Sequence, residues 1–450
     1  MPIEVFYVLA LLGVICIAFL LLKRPIYECM FYGYVAMIAV TGQWKNFFVY
    51  IGKTTSDTLF YAIVAFLTLA KILDMTGAVD KIVAIIVSIF GRFRGGAGYT
   101  AVLASTFMGA LSGSGAGNVA TTGTFTIPAM KKSGFTPHLA ANVEAASSTM
   151  GNMIPPAAVI LAALACYNEF SGEEMSQSVF WIAVWGVAVW FILQRLVTLY
   201  VFCKITKVKP VDKEDIRPLR ETLKEGGKYL LLPIIILLPF ILDFFLKDTF
   251  FLQRLGAEAK RISSSLLIFT PGVAAVAAIL LSYKDKKIKF GDMFDTLSKS
   301  VKGIVPVSAT IFFAYCISNL FSSTDIGANI GAYINTWNIP RVALCFIIPL
   351  ITAVLGMVLP GTAQTKIFGT TIISVLAASG ANPLLVAAVL PAITGAMEGI
   401  TPPLALCTYA AMGIAQSDFK KTIYNSLIWV GLHYAMAVLC LLGILPVFGL

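Results

Sequence analysis

SGSGAGNVATTGTFTIPAMKKSGFTPHLAANVEAASSTMGNMIPP, residues 112–156, is the stretch of this chain that decides its fold. Its glycine- and serine-rich start interrupts a long apolar run at 98–130, and the double proline Pro155–Pro156 interrupts the next run at 137–166. Prolines remove backbone donors and free carbonyls upstream, which a bilayer tolerates only where the chain lines a cavity or is buried in protein. The first run therefore predicts a re-entrant hairpin and the second a broken helix.

The same two features come a second time, in the same order. The run 340–377 is interrupted by PGTA at 360–363, and the run 383–413 by Gly399 and Pro402–Pro403. Apolar segments often look alike by chance, but matched breaks at matched intervals are uncommon, so we infer an internal duplication. We predict an all-α polytopic membrane protein with two re-entrant hairpins and two broken helices.

The composition excludes an ordinary soluble protein. Hydrophobic residues make up 58% of the 450 residues and charged residues only 12%, whereas a soluble domain carries about 25% charged residues. The run 3–22 lacks the basic start and cleavage site of a signal peptide, so it is predicted to be the first span. The eight cysteines and two histidines have no metal-ligand or triad spacing, so neither an enzyme nor an organic cofactor is expected.

Lysines and arginines set the predicted orientation in the membrane. With the amino terminus outside, most of the 33 Lys and Arg residues fall on the cytoplasmic side, as the positive-inside rule requires. This bias explains the net charge of +10 without a nucleic acid partner. The first hairpin loop carries Lys131–Lys132 and its counterpart carries Ala377–Ala378. We therefore predict that one hairpin opens from the cytoplasm and the other from outside, which is the inverted repeat of secondary transporters.

Oxygen-bearing groups crowd both hairpin tips and both breaks. A carrier needs such groups near the membrane midplane, where unwound backbone and small hydroxyls bind a coupling cation, and hard oxygen ligands suit Na⁺. The alternative is that these small residues only allow close helix packing. The candidate ion ligands are Ser112, Gly113, Ser114, Asn118, Ser148, Thr149, Gly151, Gly361, Thr362, Gly395, Gly399 and Thr401.

Three charged residues inside predicted spans are functional candidates, because a charge within a bilayer is costly. Glu398, just before the second double proline, is predicted to balance an ion or to carry a proton. Glu144 has two interpretations, ion coupling or a structural hydrogen bond to a hairpin. Lys366 also has two, a contact with a substrate carboxylate or a place at the aqueous rim. The candidate substrate contacts are Ser114, Thr121, Thr122, Thr362, Gln364 and Lys366.

Residues 112–156, LGMVLPGTA (355–363) and EGITPPLALCTYAAMGIA (398–415) resemble the large membrane subunit of tripartite ATP-independent periplasmic (TRAP) transporters, closest to the TAXI-type branch. The resemblance implies an elevator, in which a transport domain slides against a scaffold and a sodium gradient drives import of organic acids. It also implies two sodium sites. One joins the tip 112–114 to the break Ser148–Ile154, and the other joins the tip Gly361–Ala363 to the break Gly395–Thr401.

The resemblance implies partners as well. A periplasmic binding protein would deliver the small carboxylate substrate to this bacterial inner-membrane protein. TAXI-type chains often carry four extra amino-terminal spans ahead of this region, and this sequence has none, so a separate four-span membrane subunit is expected. The alternative is a stand-alone inverted-repeat carrier, proton- or sodium-coupled, that works without a binding protein.

Scaffold and transport segments are predicted to alternate along the chain. The predicted segments are scaffold helices of the first repeat at 1–97, the first hairpin and broken helix at 98–166, a scaffold helix and cytoplasmic linker at 167–228, scaffold helices of the second repeat at 229–339, the second hairpin and broken helix at 340–415, and a final scaffold helix at 416–450.

Overall fold

The computed structural model of the protein is made of helices. It describes residues 2–112, 115–210, 216–246, 250–256, 259–283, 290–401 and 405–450, and these contain no strand. This confirms the all-α polytopic class. The first ten helices are α1 (Ile3–Cys16), α2 (Ile26–Thr41), α3 (Phe47–Thr55), α4 (Thr58–Thr76), α5 (Ala78–Phe90), α6 (Gly96–Ser112), α7 (Gly115–Lys132), α8 (Pro137–Ser148), α9 (Ala158–Ser171) and α10 (Gln177–Ile205). The others are α11 (Leu219–Gly226), α12 (Leu231–Leu246), α13 (Leu252–Leu255), α14 (Ala259–Ser282), α15 (Phe290–Ser323), α16 (Ile326–Thr336), α17 (Arg341–Leu355), α18 (Gly361–Ala378), α19 (Pro383–Pro391), α20 (Leu406–Ala415) and α21 (Phe419–Leu441).

Five helical stretches within the described ranges are long and apolar enough to cross a membrane. They are Ile3–Leu21, Gln177–Ile205, Leu219–Asp243, Ile304–Ser323 and Phe419–Leu441. A sixth crossing arises if Trp44–Thr55 and Thr58–Leu73, which meet at an angle of 55°, form one bent span. The predicted first span is therefore a long apolar helix, and the chain crosses the membrane several times.

Helices end and begin again where the sequence predicts breaks. The run 98–130 divides into α6 and α7, and the run 340–377 divides into α17 and α18 after Pro360. These four helices have 17, 18, 15 and 18 residues, which is short of the roughly 20 that cross a bilayer. Their length is compatible with hairpins, although re-entry of each pair from one membrane face stays a prediction.

The two broken helices differ in how the chain unwinds. After α8 the chain forms the 3-10 turn Thr149–Asn152 before α9 begins at Ala158. After α19 it forms the π-helical turn Ala392–Ala396, and α20 begins at Leu406. Pro402 and Pro403 lie outside the described residues. Neither turn follows the i→i+4 hydrogen-bond pattern of an α-helix, so backbone groups in each break become available to other partners.

A proline begins the first half of each broken helix. Pro137 and Pro383 occupy the first turns of α8 and α19, where the missing N–H costs nothing and the fixed φ suits the helix. In the second copy Asn382 caps the helix, because its Oδ1 accepts from the N–H groups of Leu384 at 2.9 Å and Leu385 at 3.3 Å. The repeated proline therefore sets the start of the same element in both copies.

The two copies interlock through the second halves of their broken helices. α9 of the first copy packs along α18 of the second, and α20 of the second copy packs on α7 and α8 of the first. The breaks themselves meet, since the Asn152 side-chain amide donates to the Gly395 carbonyl at 2.5 Å. Around this block, α4 packs with α14, and α2 packs with α1 and α15.

Cysteine labelling from each side of the membrane will test the predicted opposite orientation of the copies. Lys132 and Ala378 lie at the ends of α7 and α18 and are exposed, whereas the neighbouring Ser133 is 2% exposed and unsuitable. An impermeant maleimide should modify Lys132→Cys only from the cytoplasm and Ala378→Cys only from the periplasm. The unmodified parent is the control, because seven of its eight cysteines are buried. Labelling of both variants from one face would exclude an inverted repeat.

Candidate functional site

Five helices contribute their first described residues to the wall of one cavity of about 210 Å³, which we call the central cavity. These residues are Ile26 of α2, Gly115 of α7, Ala158 of α9, Gly361 of α18 and Leu406 of α20. The peptide dipoles of a helix give its amino terminus a partial positive charge. The central cavity is therefore a favourable place for an anion.

The residues that α4 and α15 contribute to the lining of the central cavity are mostly apolar. They are Leu67 of α4 and Pro306, Val307 and Ile311 of α15. Thr310 of α15 adds one hydroxyl group. The cavity is smaller than the roughly 300–1,000 Å³ of drug-sized pockets. A small solute matches its size better than a large one.

Glu398 is the one charged side chain among the described residues that line the central cavity. Its carboxylate accepts a hydrogen bond from the N–H of Gly361, the first residue of α18. This contact joins the second hairpin tip to the second break. Thr362 also lines the cavity and is partly exposed there, so its hydroxyl can reach a bound solute.

A glycine of each hairpin lies against a glycine of the break in the same copy. A Cβ on Gly361 would lie 2.2 Å from the Gly395 Cα, and a Cβ on Gly109 would lie 2.7 Å from the Gly151 Cα. No larger residue fits at such distances without moving backbone. The predicted glycines Gly151, Gly361 and Gly395 therefore allow hairpin and break to touch.

Glu144 is the centre of a buried hydrogen-bond cluster between the first hairpin and α8. Its Oε1 accepts from the hydroxyls of Thr122 at 2.5 Å and Ser148 at 2.9 Å, and more distantly from Ser105 at 3.4 Å. Its Oε2 accepts from Thr126 at 2.5 Å. Of the two interpretations given to Glu144, the geometry supports the structural hydrogen bond to a hairpin.

The other candidate ion ligands lie close to these contacts. Asn118 is buried and its amide donates to the carbonyls of Ser105 at 2.7 Å and Ser148 at 3.3 Å. Thr401 donates to the Met397 carbonyl at 2.7 Å, and Gly399 lies beside Thr149. Ile154 and Ala363 are fully buried, so they offer only backbone atoms. Gly113 and Ser114 lie outside the described residues, as do the side chains of Ser112 and Thr121, so all these ligand roles stay predictions.

Three of the candidate substrate contacts that the structure describes, Thr122, Gln364 and Lys366, are not among the residues that line the central cavity. Thr122 donates to Glu144 instead. Gln364 bridges the ends of its own hairpin, with its amide oriented to donate to the Thr352 carbonyl at 3.1 Å and to accept from the Gly356 N–H at 2.9 Å. Lys366 is 6% exposed and lies 3.5 Å from the Glu169 carboxylate, over the ring of Tyr315. Lys366 is thus neither at an aqueous rim nor in the cavity.

Replacing Glu144 should destabilise the protein. Glu144→Leu removes the acceptor that the Ser148 hydroxyl has at 2.9 Å and leaves it only the more distant Ser105 hydroxyl, at 3.4 Å, in a buried site. Thr122 and Thr126 keep their bonds to carbonyls of α7. We expect the free energy of unfolding to fall by on the order of 3 kcal/mol, because an unsatisfied buried group costs about 1–3 kcal/mol. Glu144→Gln is the control and should lose about 1 kcal/mol, since the amide oxygen still accepts. Equal denaturation curves for Leu and Gln in detergent would contradict the structural role.

Several residues of the site escaped prediction. Asn152, which joins the breaks, follows the predicted Gly151 directly, yet nothing in the sequence pairs it with Gly395. Arg195 is a charge inside the apolar helix α10, and such a charge is itself a signal of function. It donates to the Thr149 hydroxyl at 2.9 Å, so the side chain of that predicted ion ligand faces a cation.

Comparison with known proteins is consistent with this architecture. The family model described as the DctM component of tripartite ATP-independent periplasmic transporters matches residues 3–448. The C4-dicarboxylate TRAP transporter large permease protein DctM of Vibrio cholerae is 23% identical over 395 residues, covering 84% of this chain and 82% of the relative. The sialic acid TRAP transporter large permease protein SiaM of the same organism is 22% identical over 359 residues, covering 80% and 78%. The crystal structure of the YdaH transporter of Alcanivorax borkumensis superposes with a TM-score of 0.60 at 13% identity, covering 90% of this chain and 89% of that one.

Proposed function

Because the chain belongs to the family of DctM components of TRAP transporters, we propose that it imports small organic acids by sodium-coupled symport with an elevator mechanism. Proteins of this family are multi-pass permeases of the inner membrane and not enzymes. The family works with a small membrane subunit and a periplasmic binding protein. Assignment to the TAXI-type branch stays a prediction.

The observation that carries the proposal is that five helices place their first described residues in the wall of the central cavity. A carboxylate held there interacts favourably with the positive ends of these helix dipoles. Relatives are named for C4-dicarboxylate, sialic acid and 2,3-diketo-L-gulonate, all of which are acids. Thr362 is the side chain that we assign to the substrate, and the volume of about 210 Å³ favours a small acid.

Cation coupling follows from the charge of the same cavity. Glu398 lines it, and no described lining residue is Lys, Arg or His. A carboxylate substrate next to the Glu398 carboxylate is therefore unfavourable unless cations bind with it. The hairpin–break contacts Gly361–Gly395 and Gly109–Gly151 bring the backbones of separate elements together in each copy, which supports one sodium site in each copy.

The elevator part of the proposal is supported by the two sides of the central cavity. The hairpins and broken helices interlock into one block, whereas the residues that α4 and α15 contribute to the cavity are apolar apart from Thr310. An apolar surface lets a block slide without breaking many hydrogen bonds. In this mechanism the block carries the acid and the ions across together.

Transport by purified protein in liposomes tests the proposal. The permease with its small subunit is reconstituted with a matched binding protein, and uptake of a panel of radiolabelled carboxylates is measured under an inward sodium gradient. We expect uptake that requires both the sodium gradient and the binding protein. Uptake in sodium-free buffer driven by a proton gradient would overturn sodium coupling. It would favour the proton-coupled alternative, for which the position of Glu398 in the cavity is the supporting observation.

Sodium-driven uptake by the chain alone, unaffected by any binding protein, would instead favour the stand-alone carrier. A binding protein for an unrelated solute is the control, because it should not raise uptake at limiting solute. The three mechanisms therefore give three different patterns in one assay.

A further inference from the structure

Arg195 is a fully buried cation whose partners are all neutral. It lies on α10 with 1% of its surface exposed. A guanidinium has five N–H donors, and the structure gives five acceptors. They are the Ala146 carbonyl (2.7 Å), the Phe191 carbonyl (3.3 Å), Gln194 Oε1 (3.1 Å), Thr149 Oγ1 (2.9 Å) and His433 Nδ1 (3.1 Å). Every donor is used, which holds the plane of the guanidinium in one orientation.

His433 continues this contact to the other copy. Because Arg195 can only donate, the Nδ1 of His433 must accept, so the proton of a neutral ring lies on Nε2. Nε2 is 2.8 Å from the Ala392 carbonyl and donates to it. Ala392 is the first residue of the π-helical turn in the second break. His433 therefore has a fixed tautomer, with one nitrogen for each neighbour.

The two side chains connect the two breaks. Arg195 holds the Ala146 carbonyl and the Thr149 hydroxyl at the first break, and His433 holds the Ala392 carbonyl at the second. They come from α10 and α21, which follow the broken helix of the first and second copy respectively. Local packing alone does not require a charge here, because a neutral side chain can satisfy a free carbonyl without the cost of burying a cation.

We propose that Arg195 and His433 are positioning residues that hold the two breaks in one fixed arrangement, so that the sodium sites of the two copies bind cooperatively. The proposal rests on the proposed function. Neither residue touches the ion or the substrate. Arg195 acts through the Ala146 carbonyl and the Thr149 hydroxyl at the first break, and His433 acts through the Ala392 carbonyl at the second.

Substitutions at the pair separate positioning from simple support of the fold. His433→Phe keeps a ring but removes the acceptor and the donor, and His433→Gln supplies one of each. Arg195→Lys keeps the charge but loses the planar fork. His138→Phe changes the other, partly exposed histidine and is the control. The sodium midpoint and cooperativity are measured by uptake and, independently, by the sodium-dependent rise of the melting temperature.

We expect His433→Phe and Arg195→Lys each to raise the sodium midpoint about tenfold, the effect of losing one or two hydrogen bonds to a charged or buried group. Cooperativity should fall toward that of independent sites. The double variant should be no worse than the poorer single variant, because both break the same connection. His433→Gln should recover most of the wild-type response.

Two other outcomes are decisive. Folded variants with the sodium midpoint and cooperativity of the wild type would overturn the positioning role. If Phe or Lys prevents folding, His433→Asn replaces them, because its shorter polar side chain can keep the contact with Arg195 but cannot also reach the Ala392 carbonyl; an unchanged sodium response there would overturn the role equally. A wild-type protein without any sodium response would instead refute the proposed function, so the two failures are distinguishable.

Discussion

Gly361→Ala is expected to reduce uptake by roughly a hundredfold. The new methyl group would lie 2.2 Å from the Cα and 2.6 Å from the nitrogen of Gly395, so hairpin and break must separate by an ångström or more. The N–H of Gly361 then leaves the Glu398 carboxylate. A misplacement of about 1 Å in a binding site costs about a hundredfold in enzymes, and we expect a similar loss in initial uptake rates in liposomes.

Gly413→Ala is the matched control for this substitution. Gly413 lies within α20, and a Cβ there would meet no atom within 4 Å. Alanine in a helix is more favourable than glycine by up to about 1 kcal/mol, so this variant should be as active as the wild type and slightly more stable. Normal uptake by Gly361→Ala would mean that tip and break do not touch in the transporting protein.

Glu398→Gln is expected to raise the sodium concentration for half-maximal uptake about tenfold, which corresponds to about 1.4 kcal/mol. The amide oxygen can still accept from the Gly361 N–H, so the contact survives while the negative charge next to the cavity is lost. Cations bind less tightly without that charge. The measurement is uptake against sodium concentration at saturating substrate.

Glu174→Gln is the control for charge removal, since Glu174 is exposed in the loop after α9. It should leave the sodium dependence unchanged. An unaltered sodium dependence in Glu398→Gln would exclude Glu398 from ion balance. Loss of uptake at every sodium concentration, together with proton-driven uptake in the wild type, would identify Glu398 as a proton carrier.

The breaks were predictable because their cause is local. A proline such as Pro137 or Pro383 favours the start of a helix, and a glycine-rich segment favours its end. These boundaries can therefore be read from the local sequence without knowing which helices pack against it. The meeting of Gly361 with the second break was inferred from repeated order and from the family resemblance. The position of the breaks depends on residues close together in the sequence, and the contact of Gly361 with the second break depends on a pattern that occurs twice.

The partners of charged residues were not predictable, because they lie far apart along the chain. Arg195 contacts Ala146 and His433, which are 49 and 238 residues away. Lys366 was predicted to contact a substrate carboxylate or to lie at the aqueous rim, whereas the carboxylate of Glu169, which is far from it in the sequence at the end of α9, lies 3.5 Å away. Sequence reveals that a buried charge needs a partner, and only the packing of α9 along α18 decides which one.

Neither copy can act as a transporter by itself, because α9 completes the surroundings of α18 and α20 completes those of α7 and α8. The same exchange of helices would be expected of two separate subunits, inserted in opposite directions, that each packed a helix against the other before their genes fused. A chain cut in the linker around residues 211–215 should consequently regain function only when both fragments are produced together. Two copies of one fragment, inserted into the membrane in opposite directions, would be the arrangement most similar to that earlier pair of subunits.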